Sequence, residues 1–458
     1  MYRVFIGETL GEQGFGRGTV SLDTSRHAAI FGQTGTGKST LLKRLMLYPV
    51  LEGRGLFAVD PHTSLIEGFL DILPAYRTED VIYFDPTSDR PIGLNPLKDR
   101  TQLAVDQTIE IMSEIYGENS WGGRSAIVAR NFGYALIEAE TKPTLIHLRL
   151  MFFDKEYRQW VFGKASSNPA KEFGKKFEKD WSERLQEDSA AAPMNKIDAL
   201  TACDQLRHIF GQPDGLNFSQ AIKDKKIILW ALNKGAIGEE NAALLGSVGL
   251  RMALNAGLSR SFWNEIFPIF YDEFHTFTKG SAYKEVFSET RKYGFSFTLA
   301  DQNISQLPEG ADSSIFANVG NLVVFRTSAD DARKFAPELD LEHTRPLVKL
   351  QNNTMFVRSI ENGLVKIRLT DALPPVDAKS RNYRLANSSA VKDRSQSFYG
   401  TDRHKVEQSL TQLGKRGGEK NERKRSNRRS KTKADGIRGG KTDGNRPPVG
   451  GTPEVPAR

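Results

Sequence analysis

The sequence predicts an α/β fold with a mostly parallel central sheet, and three observations support this prediction. Short apolar runs of strand length recur along the chain and alternate with stretches of helical periodicity. Glycine-rich turns separate the first of these runs. A long, charged and helix-like stretch interrupts the alternation after the third run, which predicts an all-α insertion within the sheet-forming part of the chain.

The predicted elements follow in order. We expect a strand pair at residues 2–6 and 18–22. The remaining apolar runs predict buried strands at 27–31, 55–60, 81–85, 226–232, 267–271, 295–299, 321–326 and 354–357. The runs at 321–326 and 354–357 are expected to be the last strands of the chain. Helical spacing predicts helices at 40–46, 104–116, 126–139, 175–186 and 241–259.

The predicted helices and strands divide the chain into four segments. Residues 1–101 and 216–386 are expected to form the two parts of one α/β domain, and residues 102–215 an inserted all-α domain. Residues 387–458 are expected to be a basic disordered tail, because their apolar content is too low to offset the entropy of ordering.

The chain has 458 residues, which is enough for two or three domains with a large core. Cys203 is its only cysteine, so no intrachain disulfide can form, and this fits a reducing cytoplasm. The seven histidines show no metal-ligand spacing. No apolar run has the length of a membrane span, and we expect a cytoplasmic protein without a transmembrane segment of its own.

The positive charge of the chain is concentrated at its end. The net charge is +8, but residues 401–458 contain 16 Lys and Arg against 7 Asp and Glu, a net of +9. The first 400 residues therefore have a net charge of −1. A nucleic-acid surface on the folded body must then be a local groove or pore. The tail itself is either a DNA-tethering arm or a solubilising end.

A phosphate-binding motif is the most specific local signal. The octet beginning at Gly32 fits GxxxxGK[ST] and lies between a predicted strand and a predicted helix. Backbone N–H groups in such a loop converge on phosphate oxygens. Lys38 is predicted to reach the β- and γ-phosphates of a nucleoside triphosphate, and the Ser39 hydroxyl to ligate Mg²⁺. The predicted nucleotide-binding residues are Gly32, Gln33, Thr34, Gly35, Thr36, Gly37, Lys38, Ser39 and Thr40.

An acidic pair follows the predicted strand 267–271. Asp272 is predicted to hold Mg²⁺ and Glu273 to be the general base that activates water. The pair alone would be weak evidence, since an acidic turn at a strand end is common. Together with the phosphate loop upstream it predicts an ATPase site, because strands of such folds bring the two motifs together.

Two further residues are candidates by position. Gln302 follows the strand 295–299 and is predicted to sense the γ-phosphate or position water, the alternative being a cap on the next turn. Arg291 lies just before that strand. It is predicted to act as an arginine finger on the nucleotide of a neighbouring subunit, the alternative being a surface residue or a structural ion pair.

Over residues 15–375 the chain resembles the TraG/TraD-type coupling ATPases of conjugation, within the HerA/FtsK group of RecA-like motors. The matching segments, in order, are HAAIFGQTGTGKST, GLFAVDPH, DVIYFDPTSDRPIGLNPL, SWGGR, PMNKI, LRHIFGQ, GAIGEENAALLGS, YDEFHTF, TRKYGF, LADQNISQL and SIFANVGNLVVFRTSADDA. The resemblance implies a RecA-like motor domain with a helical insertion. It also implies a homo-oligomeric ring, expected to be hexameric, with nucleotide between subunits and DNA in the channel, and it favours the finger role of Arg291.

The sequence leaves three functions open. The first is an ATP- and Mg²⁺-dependent DNA translocase or coupling ATPase of conjugative transfer by type IV secretion, with a relaxase or secretion-channel partner that would place it at the inner membrane. The second is a HerA-like motor for DNA processing or packaging. The third is a nucleotide-dependent adaptor that binds a DNA–protein complex without pumping. The pair of Asp272 and Glu273 argues against the adaptor, which has no need of a base that activates water.

Overall fold

The structure is a computed structural model that describes residues 2–10, 18–114, 122–258, 265–277, 287, 290–377 and 383–413. Its strands are β1 Arg3–Thr9, β2 Thr19–Asp23, β3 Ala28–Phe31, β4 Leu56–Asp60, β5 Val81–Phe84, β6 Ile227–Ala231, β7 Phe267–Tyr271, β8 Phe295–Asp301, β9 Asn321–Val324, β10 Thr354–Glu361 and β11 Leu364–Ala372. They form one sheet in the order β2-β1-β11-β10-β9-β3-β8-β7-β4-β6-β5.

The sheet has a parallel part and an antiparallel part. All neighbouring pairs from β9 through β5 are parallel, whereas β10, β11, β1 and β2 pair in antiparallel fashion. The predicted α/β class with a mostly parallel sheet is confirmed. The strand β8 lies between β3 and β7, so the strand that precedes the phosphate loop and the strand that precedes the acidic pair have one strand between them.

The helices cover both faces of this sheet. They are α1 Lys38–Leu51, α2 Ser64–Leu70, α3 Gln102–Glu114, α4 Gly123–Ala139, α5 Leu145–Phe153, α6 Lys155–Lys164, α7 Asn168–Lys175, α8 Glu183–Ala199, α9 Asp204–Phe210, α10 Phe218–Lys223, α11 Lys234–Ile237, α12 Glu239–Leu258, α13 Ala311–Asn318, α14 Ala329–Glu338, α15 Arg345–Val348 and α16 Ser388–Tyr399. None of the helices in the described ranges has both the length and the apolar character needed to cross a bilayer.

The alternation of buried strand residues creates two apolar cores. Ala29 and Phe31 of β3 belong to a core that continues into the helical stretch from α3 to α10, whereas Ile30 belongs to the core beneath α1 and α2. Residues 1–408 form one compact unit, and residues 409–458 a second one of which only 409–413, a helical stretch, are described. The separate all-α domain at 102–215 stays a prediction.

The helix predicted at 175–186 is wrong as one continuous element. The helix α7 ends at Lys175, a π-helical turn covers Lys176–Asp180, and the chain is extended at Trp181 and Ser182 before α8 begins. The Ser182 hydroxyl accepts a hydrogen bond from Leu185 N at 3.3 Å and caps α8. A serine that caps a new helix competes with continuation of the old one, which periodicity alone does not reveal.

The expectation that the strand at 354–357 is the last one is also wrong, because β11 follows β10 as an antiparallel hairpin partner. The turn is Asn362-Gly363, with φ of 51° and 81°. This dipeptide is a strong hairpin signal, since both turn residues need positive φ. The turn signal is present in the sequence. The strand itself was missed because β11 alternates charged and apolar residues and its first three residues are exposed, so it does not form an apolar run.

Disorder beginning at residue 387 is likewise wrong for the segment that follows it. Residues 388–399 form α16, which Asn387 caps by accepting a hydrogen bond from Ala390 N at 3.0 Å. The hydroxyl of Ser395 in α16 accepts a hydrogen bond from the N–H of Tyr83 in β5 at 2.7 Å. A few buried contacts and one cap thus order a segment of low apolar content. Residues 414–458, the most basic part, lie outside the described residues.

Candidate nucleotide-binding and hydrolysis site

The phosphate loop joins the end of β3 to the start of α1. Gly32 and Gly37 have φ of 156° and 118°, the second of these being in the left-handed region that favours glycine. A Cβ atom added to Gly32 would lie 2.6 Å from the Cβ of Phe325, and one added to Gly37 would lie 3.0 Å from Oδ1 of Asn353. The glycines therefore allow the loop to pass close to the end of β9 and the start of β10.

Backbone hydrogen bonds hold this loop from several sides. Gln33 N donates to Arg326 O at 2.8 Å, and Asn353 N donates to Thr36 O at 3.0 Å. Within the loop, the Thr36 hydroxyl donates to Gln33 O at 2.7 Å. The loop is thus shaped before any ligand arrives, which lowers the entropy cost of binding a phosphate.

Lys38, the first residue of α1, lies over the phosphate loop that precedes it. Its ammonium group donates to the carbonyl oxygens of Gly32 and, at 3.2 Å, of Gln33. Burial lowers the pKa of Lys38, and the negative charges of Asp272, Asp301 and Glu273 oppose this effect. The ammonium occupies the cradle where phosphate oxygens are expected to replace the two carbonyl contacts.

The outer part of the loop is open to solvent. Thr34, Gly35 and Ser39 are exposed and Thr40 is half-buried, so a phosphate chain has access along this side. The helix α1 begins here, and its N-cap residue Gly37 makes no side-chain capping hydrogen bond. The first backbone N–H groups of a helix have no partner within the helix and can bind a phosphate.

Asp272 extends beyond the tip of β7. Its N–H donates to Val59 O of the neighbouring β4 at 3.1 Å, which places Asp272 beside Asp60 at the end of that strand. Burial, the charge of Asp60 and the charge of Glu273 raise the pKa of Asp272 to about 7, with Lys38 acting in the opposite direction. Carboxylate oxygens are the hard donors that Mg²⁺ prefers, so Asp272 suits the role of a magnesium ligand.

Glu273 has an unusual backbone. Its φ is 46°, in the left-handed region that a residue with a side chain seldom occupies, and such strain clusters at functional sites. Its carboxylate accepts hydrogen bonds from His62 Nε2 at 2.8 Å and Gln302 Nε2 at 3.2 Å, and Lys234 Nζ lies 3.4 Å away. Burial raises the pKa of Glu273, but the cationic neighbours His62 and Lys234 outweigh it and lower the pKa overall.

Gln302 reaches the acidic pair from the strand between the two motifs. It follows Asp301, the last residue of β8, whose fully buried carboxylate accepts from Gln302 N at 2.7 Å and from His275 N at 2.8 Å. The side chain of Asp301 also contacts His275 Nδ1 at 2.9 Å, and this contact raises the pKa of His275. Asp301 thus fixes both Gln302 and the turn that follows Glu273.

Arg291 lies at the opposite edge of the sheet. It belongs to the turn Thr290–Tyr293 that precedes β8 and it is exposed, whereas Gln302 lies beyond the other end of β8. A strand of this length spans about 20 Å, so Arg291 cannot reach the phosphate loop of its own chain. The structure therefore brings Lys38, Asp272, Glu273 and Gln302 together and leaves Arg291 apart.

Several residues of the site were not found from the sequence. His62 and Lys234 contact Glu273, Asn353 contacts the phosphate loop, and the guanidinium of Arg326 contacts Gln33 Oε1 at 3.2 Å. Each follows a strand end or turn at the same edge of the sheet. The sequence shows that these residues lie near predicted strand ends. It contains no spacing motif that would distinguish them from ordinary loop residues.

The donor set fits a magnesium-bound triphosphate. A serine hydroxyl and one carboxylate are hard oxygen donors, and Mg²⁺ in such sites takes only one or two protein ligands, with phosphate oxygens and water completing the octahedron. Ser39 and Asp272 are the pair predicted for this role. A phosphate chain fits the loop for two reasons. Gly32 and Gly37 leave little room for a Cβ atom, and the ammonium group of Lys38 lies over the loop.

These features together define the class of protein. A phosphate loop after one strand, an acidic pair after a second and a polar amide after the strand between them are the parts of a RecA-like P-loop ATPase.

The chain belongs to the family described as the type IV secretion-system coupling protein DNA-binding domain, whose model matches residues 18–340. The predicted family is confirmed. Comparison with curated protein sequences gives no match.

Solved structures with a similar fold include a plasmid coupling protein and VirB4. The plasmid coupling protein TrwB in complex with the non-hydrolysable ATP analogue ADPNP is 18% identical, with 84% of this chain and 96% of that chain covered and a TM-score of 0.56. TrwB in complex with ADP and Mg²⁺ is 16% identical, with coverages of 84% and 97% and a TM-score of 0.54. VirB4 of Thermoanaerobacter pseudethanolicus is 14% identical, with coverages of 82% and 98% and a TM-score of 0.58. At these identities the likeness establishes the fold.

Proposed function

We propose that this coupling protein hydrolyses ATP at the site around Lys38 and uses the energy to move DNA, or a DNA–protein complex, toward a type IV secretion channel. The observation that carries the proposal is the convergence of Lys38, Asp272, Glu273 and Gln302 from three adjacent parallel strands. Family membership supports the coupling role. The TrwB complexes with an ATP analogue and with ADP and Mg²⁺ support the choice of ligand.

The residues then have separate tasks. Bound Mg²⁺–ATP supplies the bond to be cleaved and a metal ion that offsets charge on the phosphates. Ser39 and Asp272 hold the ion, and Lys38 pairs with the β- and γ-phosphate oxygens. Glu273 accepts a proton from the attacking water, and Gln302 orients that water.

The site is completed by a neighbouring subunit. Arg291 is exposed at the edge of the sheet opposite to its own phosphate loop, so in a ring it would face the nucleotide of the next copy. There its guanidinium would stabilise negative charge that develops on the transferred phosphoryl group. A hexamer with DNA in the central channel fits this arrangement. Sequence-neutral contacts to phosphates suit a motor that moves along any sequence.

Two substitutions test the hydrolysis site. Lys38→Ala removes the cation from the cradle, and Glu273→Gln removes the base while keeping the shape of the side chain. Each is expected to lower DNA-stimulated ATP hydrolysis at least about 100-fold. Lys142→Ala is the matched control, because Lys142 is an exposed lysine of the helical stretch, paired with Asp214 at 3.0 Å. Full activity in either site variant would refute the proposal.

A HerA-like motor for DNA processing or packaging is the second candidate. It would use the same site residues, and what favours the coupling role is the family match over residues 18–340. A non-pumping adaptor is the third candidate. It predicts ATP binding with slow turnover that neither single-stranded nor duplex DNA stimulates, so the same ATPase measurement distinguishes it from a motor.

A further inference from the structure

The general-base candidate Glu273 is bound by the side chains of His62 and Lys234 at once. His62 Nε2 lies 2.8 Å from Oε2 of Glu273, and Lys234 Nζ lies 3.4 Å from the same oxygen. The other oxygen, Oε1, accepts a hydrogen bond from Gln302 Nε2 at 3.2 Å. Both carboxylate oxygens are therefore engaged by protein groups. A general base must offer one of them to the attacking water.

These two side chains come from neighbouring loops that are hydrogen-bonded to each other. His62 follows β4 and Lys234 follows β6, which pair in parallel. Lys234 N donates to Pro61 O at 2.8 Å, and His62 N donates to Oδ1 of Asp60 at 2.7 Å. Because these hydrogen bonds hold the two loops side by side, both side chains reach the same oxygen of Glu273.

Exposure differs between the carboxylate and its partners. The side chain of Glu273 is 17% exposed, whereas those of Lys234 and His62 are 24% and 44% exposed. An oxyanion arriving from solvent therefore meets His62 and Lys234 before it meets Glu273. Other charged or titratable groups near Glu273 include Lys38, which also attracts an anion, Asp272, which repels one, and His275, whose ring is held by Asp301.

We propose that His62 and Lys234 form a clamp that holds Glu273 in a resting position until a phosphate oxyanion draws the two side chains away. The proposal rests on the proposed function, since it assigns a control to the same hydrolysis site. The oxyanion belongs either to the DNA backbone or to the nucleotide itself. His62 and Lys234 are positioning residues in this account, because they act through Glu273.

The test compares His62→Ala, Lys234→Ala and the double variant with the wild type. The measurement is kcat and KM for ATP hydrolysis with and without DNA. Release of Glu273 is expected to raise kcat without DNA about fivefold, with little change in KM. His62→Gln and Lys234→Arg keep a hydrogen-bond donor, so they should return the DNA-free rate toward that of the wild type and guard against a folding defect. His343→Ala and Lys142→Ala are the matched controls.

The response to DNA identifies the source of the phosphate. If DNA no longer stimulates the double variant, the backbone phosphate of DNA opens the clamp. If DNA multiplies the raised rate by the wild-type factor, the nucleotide opens it. Both results support the clamp. Unchanged or reduced DNA-free kcat in both alanine variants overturns it.

The rise in kcat without a matching change in KM, and its reversal by His62→Gln and Lys234→Arg, are readouts that a merely structural role would not move. Lys38→Ala serves as the reference for the proposed function itself. If the wild type lacks ATPase activity, or if Lys38→Ala retains it, the proposed function fails. If only the clamp variants behave like the wild type, the clamp alone fails.

Discussion

His27 illustrates how a single buried residue links the sheet to the surroundings of the finger candidate. Its side chain is 2% exposed, and Nδ1 accepts a hydrogen bond from Phe297 N at 3.0 Å, so it joins β3 to β8. Burial and the nearby charge of Arg291 lower its pKa from 6.5 to about 4. The ring is therefore neutral in the folded protein at neutral pH, and protonation would cost both the hydrogen bond and the desolvation of a charge.

This pKa predicts a loss of stability in mild acid. Because the folded pKa lies below the unfolded value, the unfolded chain binds the proton first, and stability falls as pH drops from 6.5 toward 4. The contribution is about 3 kcal/mol in the free energy of unfolding. His27→Asn keeps an acceptor near the Nδ1 position but cannot titrate, so its Tm should fall less between pH 7 and pH 4.5 than that of the wild type. Equal falls would contradict the prediction, and His343→Ala is the control.

At the scale of elements, the helical stretch contains a π-turn that is held by a buried ion pair. Arg158 of α6 donates from Nε to Oε1 of Glu178 at 2.6 Å, and the two side chains are 9% and 11% exposed. The guanidinium also donates to Met151 O at 3.0 Å and lies 5.4 Å from the ring centroid of Phe177. One side chain therefore fixes the turn Lys176–Asp180 against α5 and α6.

Arg158→Met is expected to destabilise the protein by about 3–5 kcal/mol, because it leaves the charge of Glu178 buried without a partner. Lys142→Ala breaks an exposed pair and should cost less than about 1 kcal/mol. The measurement is the Tm shift of each variant. The double variant Arg158→Met/Glu178→Leu removes both charges and should recover most of the loss. A similar small shift for Arg158→Met and Lys142→Ala would contradict this account.

At the scale of the whole molecule, the predicted finger Arg291 lies apart from the other candidate site residues of its own chain. Arg291 lies about 20 Å from Gln302 along β8, at the other edge of the sheet. The exposed turn that carries it has no route to the nucleotide of its own chain. Hydrolysis at a subunit interface would make the activity depend on assembly, so that ATP turnover and ring formation rise together with protein concentration.

Mixing two inactive variants tests this arrangement. Arg291→Ala keeps an intact phosphate loop, and Lys38→Ala keeps an intact finger, so a ring that contains both has some interfaces with a complete site. Each variant alone is expected to be inactive, and the mixture to regain up to about a quarter of the wild-type ATPase rate if the copies assort randomly. Activity of Arg291→Ala alone, or no recovery on mixing, would contradict the finger role. Lys292→Ala is the matched control.

The sequence predicted those parts of the site that depend on the conformation of a few consecutive residues. The octet at Gly32 requires glycine dihedral angles between a strand and a helix, and that requirement is written into a few consecutive residues. Asp272 and Gln302 follow apolar strands, and parallel strands bring their carboxyl ends to one edge. Chain pattern was therefore enough to group Lys38, Asp272, Glu273 and Gln302, although their roles stay predictions.

The tertiary structure alone decided which donors face Glu273. His62 is 211 residues from it in sequence and Lys234 is 39, and the contacts exist because β4 lies between β6 and β7. A buried hydrogen bond from Tyr83 N also ordered α16 where composition predicted disorder. Local pattern determines conformation and chemistry over a few residues, whereas such pairings depend on how the whole chain lowers its free energy.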